Sequence, residues 1–155
     1  MSDQRIVTIT LDEKSVLRRS PEIEQERAAA IADLLHANSF APASGQAGPF
    51  DLHLAVEENR LLIDVSGADG ASETIQVGLG PFRRIVKDYF VICESYYDSV
   101  RRHNLSQVEA IDAGRRALHN EGSALLMEQL SGKAVIDHDT GRRLFTLICV
   151  LHLRA

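Results

Sequence analysis

Between Gly80 and His103 apolar residues recur at helical spacing. Phe82, Ile85, Val86, Tyr89, Cys93, Tyr96 and Val100 fall on one stripe, widened by Phe90 and Tyr97. This is the pattern of a helix that buries one face. Arg83, Arg84, Lys87, Glu94, Asp98 and Arg101 lie mostly outside the stripe. Pro81 suits a first helical position, where its fixed φ helps and its missing N–H costs nothing. Five of the eight aromatic residues fall in this stretch, and aromatic rings bury the largest areas. The sequence therefore predicts one long amphipathic helix here, the central pillar of the core.

Elsewhere in the first half the period is two. Val7, Ile9 and Leu11 alternate with Thr8 and Thr10, a β-branched run that predicts a strand over Arg5 to Asp12. Phe50, Leu52, Leu54 and Val56 alternate with Asp51, His53 and Ala55, the signature of a sheet with one buried and one wetter face. Glu57-Glu58-Asn59 reads as a hairpin turn. Arg60 to Val65 returns with Leu61, Ile63 and Val65 inward. Ser66 to Ser72 is a second turn, and Glu73 to Leu79 follows with Ile75, Val77 and Leu79 inward. The result is a three-stranded meander that the first strand is expected to join as a fourth.

Helical signals frame the meander. Ser20-Pro21-Glu22 places a capping serine, a proline and an acid in the order of a helix start. That helix runs to about Asn38, with Ile23, Ala30, Ile31, Leu34 and Leu35 apolar and Asn38 suited to a left-handed end. Ala41 to Pro49 is a breaker-rich loop. Ser106 and Glu109 form a capping box for a helix ending near Ser131, with Gly132 as its C-cap. Its apolar stripe is Val108, Ile111, Leu118, Leu125 and Leu126. A second, small face (Ala110, Ala113, Gly114, Ala117 and Ala124) should let another helix cross closely. Ala134 to Asp137 can form a short strand. Gly141 to Leu153 is apolar nearly all round, a buried segment whose Asp139-Thr140 start favours helix over strand. The order β-α-β-β-β-α-α-α gives an α+β fold, an antiparallel sheet of about four strands with helices on one face.

Composition narrows the class. A chain of 155 residues with ordinary apolar and charged fractions fits a single domain spanning 1–155 with a real core. Cys93 and Cys149 both lie in apolar helical stripes, a buried-thiol pattern and not a disulfide framework. There is no apolar run long enough to span a membrane and no signal-type N-terminus, so a cytoplasmic location is expected. The net charge of −5 hides a split. Up to Leu79 there are six basic and thirteen acidic residues, and from Gly80 onward eleven basic and nine acidic. The basic residues are nearly all arginine and come in adjacent pairs: Arg18-Arg19, Arg83-Arg84, Arg101-Arg102, Arg115-Arg116 and Arg142-Arg143. Guanidinium groups hold carboxylates and phosphates through paired hydrogen bonds. Such pairs equally serve as helix-flanking partners for nearby acids.

The densest polar constellation is Arg115-Arg116-Ala117-Leu118-His119-Asn120-Glu121. Arg115 and His119 share one helical face, and Asp112, Arg116 and Asn120 share the next. A histidine can transfer a proton near neutral pH, and a guanidinium beside it can hold an anion. Gly122, in mid-helix after this cluster, costs about 1 kcal/mol relative to alanine, which close approach of another group would explain. Asp137-His138-Asp139 is a second cluster, but sequence neighbours at a helix start rarely share one metal. No HExxH or paired-cysteine spacing supports zinc. No GxSxG and no strand–GxGxxG–helix unit is present. No metal or cofactor is expected. Basic residues are not interleaved with exposed aromatics, so nucleic acid is not the expected partner.

Three blocks, LGPFRRIVKDYFVICESYYDSV, QVEAIDAGRRALHNEG and DTGRRLFTLICVLH, resemble the alphaproteobacterial uncharacterised protein family two-six-two of the UPF series. The resemblance extends from RIVTITLDE to the C-terminus. It implies a bacterial, cytoplasmic protein and carries no activity or catalytic residues with it. The residues themselves then favour a non-catalytic binding or regulatory protein. Its Arg-rich helical half, with Arg83, Arg84, Arg115, Arg116, His119 and Glu121, would face an acidic protein partner, a second copy in a homodimer, or a small anion. On that reading, alanine at Arg115 and Arg116 weakens association and spares the fold. The alternative is a hydrolase or transferase on a phosphate-bearing substrate, with His119 as acid/base and Arg115 or Arg116 as anion clamp. Its sign is a concave pocket holding His119 and an arginine within hydrogen-bond reach, with Glu121 or His138 as optional further members.

Overall fold

The structure, a computed structural model, describes residues 3–13 and 20–152. Lys14, the Arg18-Arg19 pair and Leu153 lie outside the described residues. Among the described residues six strands and four α-helices follow in the order β1 (Ile6–Leu11), α1 (Pro21–His36), β2 (Phe40–Pro42), β3 (Phe50–Glu57), β4 (Arg60–Ser66), β5 (Ser72–Gly78), α2 (Arg83–Arg101), α3 (Leu105–Gln129), β6 (Ala134–Ile136) and α4 (His138–Leu151). The α+β class holds. The main sheet has the order β1-β3-β4-β5. β3, β4 and β5 form the expected antiparallel meander, and Glu58 and Asn59 both take positive φ at its first turn, as a two-residue hairpin loop requires. Two features depart from the sequence reading. β1 joins β3 in parallel, α1 being the crossover, so the sheet is mixed. A register shift near Val7 also breaks the alternation, leaving Ile6 and Ile9 buried and Val7 exposed.

The inner face of the sheet (Phe50, Leu52, Leu54, Leu61, Ile63, Val65, Ile75 and Val77) shares one hydrophobic core with the helices. The central helix is α4, not α2. From Leu144 to Leu151 nearly every residue of α4 is buried, and it packs against both α1 and α3. An all-round apolar segment has no exposed face to offer, so it takes the middle. α2 buries Ile85, Val86, Tyr89 and Cys93 but leaves Val100 exposed, with Ser99 buried in its place. It also begins later than the proline suggests: Gly80–Phe82 is a single 3-10 turn and the α-helix starts at Arg83.

Local chemistry sets the other ends. The Ser20 hydroxyl accepts from the Ile23 N–H, as a capping serine should. Asn38 is not left-handed. It stands just past α1, where its amide donates to the Leu34 and Ile6 carbonyls and accepts from the Ile6 N–H at 2.6 Å, tying α1 to β1. Asn104, two residues before the predicted capping serine, caps α3 by accepting from the Gln107 N–H. Asp137 caps α4 through the Thr140 N–H. Part of the predicted 41–49 loop is strand β2, which pairs with β6. Of the small face of α3 only Gly114 meets another helix as expected; Ala110, Ala113, Ala117 and Ala124 are exposed. The close approaches to α3 are at its glycines. Gly114 faces Ile92 of α2, and Gly122 lies directly under the Phe145 ring of α4.

Candidate functional site

α1, α3 and α4 enclose a cleft of about 140 Å³. Each helix contributes residues at helical spacing. α1 gives Glu26, Ala29, Ala30 and Asp33, a stripe of two acids separated by two small residues. α4 gives Arg142, Arg143 and Thr146, and α3 gives His119. The Ser39 N–H bonds the Thr140 hydroxyl at 3.0 Å, holding the C-terminal end of α1 beside the N-terminal turn of α4. The acids of one helix thereby face the arginines of the other.

His119 is wedged edge-on between Tyr89 and Phe145, with ring centroids at 5.3 and 6.2 Å. Its Nε2 lies 3.1 Å from the Thr146 hydroxyl. Burial, reinforced by the Arg115 and Arg142 charges, pulls its pKa from 6.5 down to about 4. The ring is therefore neutral at pH 7. Arg142 and Arg143 share one acid, Asp139, whose Oδ1 is 3.6 and 3.8 Å from their terminal nitrogens. Arg143 also donates to the Asp139 carbonyl at 3.0 Å. Both Nε atoms are buried without a hydrogen-bond partner, an arrangement that costs free energy until an acceptor arrives.

The residues singled out from sequence disperse. Arg115 bonds Glu26 of α1 at 2.8 Å and Asp112 at 3.0 Å, and its guanidinium stacks 4.2 Å from the Tyr96 ring centre. With both Arg115 and Glu26 side chains largely buried, this is a structural clamp between α1 and α3. Arg116 is exposed and pairs with Asp112 at 3.5 Å. Arg84 bonds Glu121 across α2 and α3 and Asp88 at 2.8 Å. That contact occupies Glu121 away from His119. Arg83 is exposed at the start of α2. His138 meets Asn120 at 3.2 Å. No group of three metal-ligating side chains exists among the described residues. A cleft does hold His119, but its arginines are Arg142 and Arg143, and the ring's side-chain hydrogen bond is to Thr146 and not to an arginine. Their signal was the adjacent arginine pair. What the sequence could not show is that α4 lies across α1, which brings that pair to Glu26, Asp33 and His119.

A larger hollow of about 370 Å³ opens between α1 and α2, lined by Ser20, Ile23, Phe90, Cys93 and Tyr97 among others. Of its charged residues, Arg101 and Glu22 are paired with each other at 2.8 Å. The Cys93 thiol donates to Glu26 at 3.5 Å, and burial, with Glu26 beside it, pushes its pKa up to about 12. Such a thiol is unreactive. Burial likewise pushes Tyr97 up to about 12. No helix of the described residues is long and apolar enough to cross a membrane.

Fold and site together define an α+β protein with a polar cleft between three helices. The chain belongs to the Uncharacterised protein family (UPF0262), whose family model matches residues 3–154. It is 57% identical to the UPF0262 protein of Rhodospirillum rubrum over 96% of this chain and 92% of that one. Its identity to the UPF0262 protein of Nitrobacter winogradskyi is 55% over 97% and 91% of the two chains. For the Sphingopyxis alaskensis UPF0262 protein the identity is 49%, over 97% and 94%. No solved structure matches the chain significantly.

Proposed function

We propose that this is a non-catalytic binding protein that takes the anionic group of a small molecule in the cleft between α1, α3 and α4. The observation that carries the reading is the pair of guanidinium side chains, Arg142 and Arg143, that line one wall of the cleft and whose Nε–H groups have no hydrogen-bond partner. Charge-assisted hydrogen bonds from guanidinium to carboxylate or phosphate are the strong class of such bonds. His119 and Thr146 supply a neutral polar floor. Of the ligand classes an Arg-rich half can serve, a small anion fits this geometry better than an acidic protein or a second copy. The outward arginines of α2 and α3, Arg84 and Arg116, are engaged with Glu121, Asp88 and Asp112. Acid–base catalysis by His119 has less support. The ring is neutral, its Nε2 meets Thr146, and Arg115 is committed to Glu26.

Isothermal titration calorimetry of a panel of small carboxylates, amino acids and phosphates tests the reading. At least one panel member should bind the wild-type protein. The Arg142→Ala/Arg143→Ala variant should lose that binding by about tenfold or more, since each lost charge-assisted bond is a loss of that order. Equal binding by the double variant, or no binding of any panel member to wild type, contradicts it.

A further inference from the structure

Resting on that reading, the charges of the cleft say more about the ligand. The α4 wall holds two guanidiniums and one nearby acid, Asp139, beyond hydrogen-bond distance of both for its carboxylate. It keeps an excess positive charge. On the α1 wall Glu26 is neutralised by Arg115 at 2.8 Å. Asp33, one helical face-repeat further on, lines the cleft without an ion pair to any described residue, and neither Arg142 nor Arg143 comes within 4 Å of it. The cleft is therefore bipolar, positive on α4 and negative on α1.

A plain anion would gain from the arginines and be repelled by Asp33. A plain cation would meet the reverse. A molecule carrying both charges satisfies both walls. Ala29 and Ala30 between the acids leave the room. A volume of about 140 Å³ is close to that of a cavity that accepts benzene, roughly six to eight non-hydrogen atoms. We infer that the ligand is a small α-amino acid, its carboxylate on Arg142 and Arg143 and its ammonium on Asp33. Thr146 also lines the cleft, its hydroxyl engaged with His119 and the Arg142 carbonyl.

The test compares L-alanine and L-serine with L-lactate and L-glycerate, which keep the carboxylate and replace the ammonium by hydroxyl, by calorimetry on the full chain. At least one amino acid should bind about tenfold or more tightly than its hydroxy acid, the size of one charge-assisted hydrogen bond. In Asp33→Asn that ratio should fall to about two or less, while the hydroxy acid binds as well or better. Asp33 is exposed, so the fold should be kept, and circular dichroism checks that. If a hydroxy acid binds wild type as tightly as its amino acid, or Asp33→Asn leaves the ratio unchanged, the zwitterion inference fails while the anion site stands. If neither amino acid binds, the inference fails too; when phosphate or another carboxylate binds through Arg142 and Arg143 the site itself survives. Failure of all of them overturns both.

Discussion

Gly114 and Gly122 lie two turns apart on α3, and a methyl group added at each meets a different neighbour. At Gly122 it would overlap the body of the Phe145 ring, which is fully buried. At Gly114 it would meet only the Ile92 Cδ1, at 2.8 Å, the end of a flexible side chain. Gly122→Ala should therefore cost roughly 1–3 kcal/mol through overpacking. Gly114→Ala should fall between neutral and about 1 kcal/mol stabilising, because alanine is the better helix former. Urea denaturation of the two variants checks the contrast. His119 makes a second residue-scale prediction. Its pKa is about 4 when folded against 6.5 for the free side chain, so the unfolded chain binds a proton that the folded one refuses. Stability should be unaffected by this group above pH 6.5 and should fall as the pH drops toward 4, by roughly 3 kcal/mol at the low end. His119→Gln should flatten that slope, and unfolding free energies measured from pH 7 to pH 4 decide it.

Among the elements, α1 is held to α3 by a guanidinium and to β1 by an asparagine. Glu26 and Arg115 are both mostly buried, whereas Arg84 and Glu121 are mostly exposed. A double-mutant cycle on Glu26→Gln and Arg115→Met should give a coupling of about 1–3 kcal/mol. The same cycle on Arg84 and Glu121 should give about 0–1 kcal/mol. Equal couplings would mean that the Glu26–Arg115 clamp is as solvated as a surface pair. Replacing Arg115 thus tests stability and not, as the sequence alone suggests, a free binding surface. The elements were legible where one physical rule decided them: the period-two meander, the Ser20-Pro21 helix start and the all-apolar C-terminal segment. They were not legible where tertiary pairing decided. Phe40–Pro42 is too short to show a period and becomes strand only because Ala134–Ile136 lies beside it. The direction of β1 depends on the α1 crossover, which residue alternation does not encode. The alanine face of α3 had the composition of a helix crossing, yet the close approaches occur at Gly114 and Gly122, where a side chain from the neighbour needs the room.

At the scale of the whole molecule, α4 organises the fold and the site at once. Its buried length, Leu144 to Leu151, fills the space between α1, α3 and the sheet. Its first turns leave Arg142 and Arg143 partly exposed at the rim. The His119 half of the site was visible in the sequence. Its arginines were visible only as a pair, because the partners come from helices more than a hundred residues apart in the chain. The central claim is that this rim is where a small ligand's negative group lands. Two-dimensional proton–nitrogen NMR reads it directly, since arginine Nε–H resonances are observable. Titration with L-alanine and, separately, inorganic phosphate should shift the Arg142 and Arg143 Nε–H signals and the amides of Ala30 and Thr146 in a saturable way for at least one of them. Shifts confined to Arg83, Arg84 and Arg116, or no saturable shift with these two or with any other carboxylate of the calorimetric panel, would contradict it.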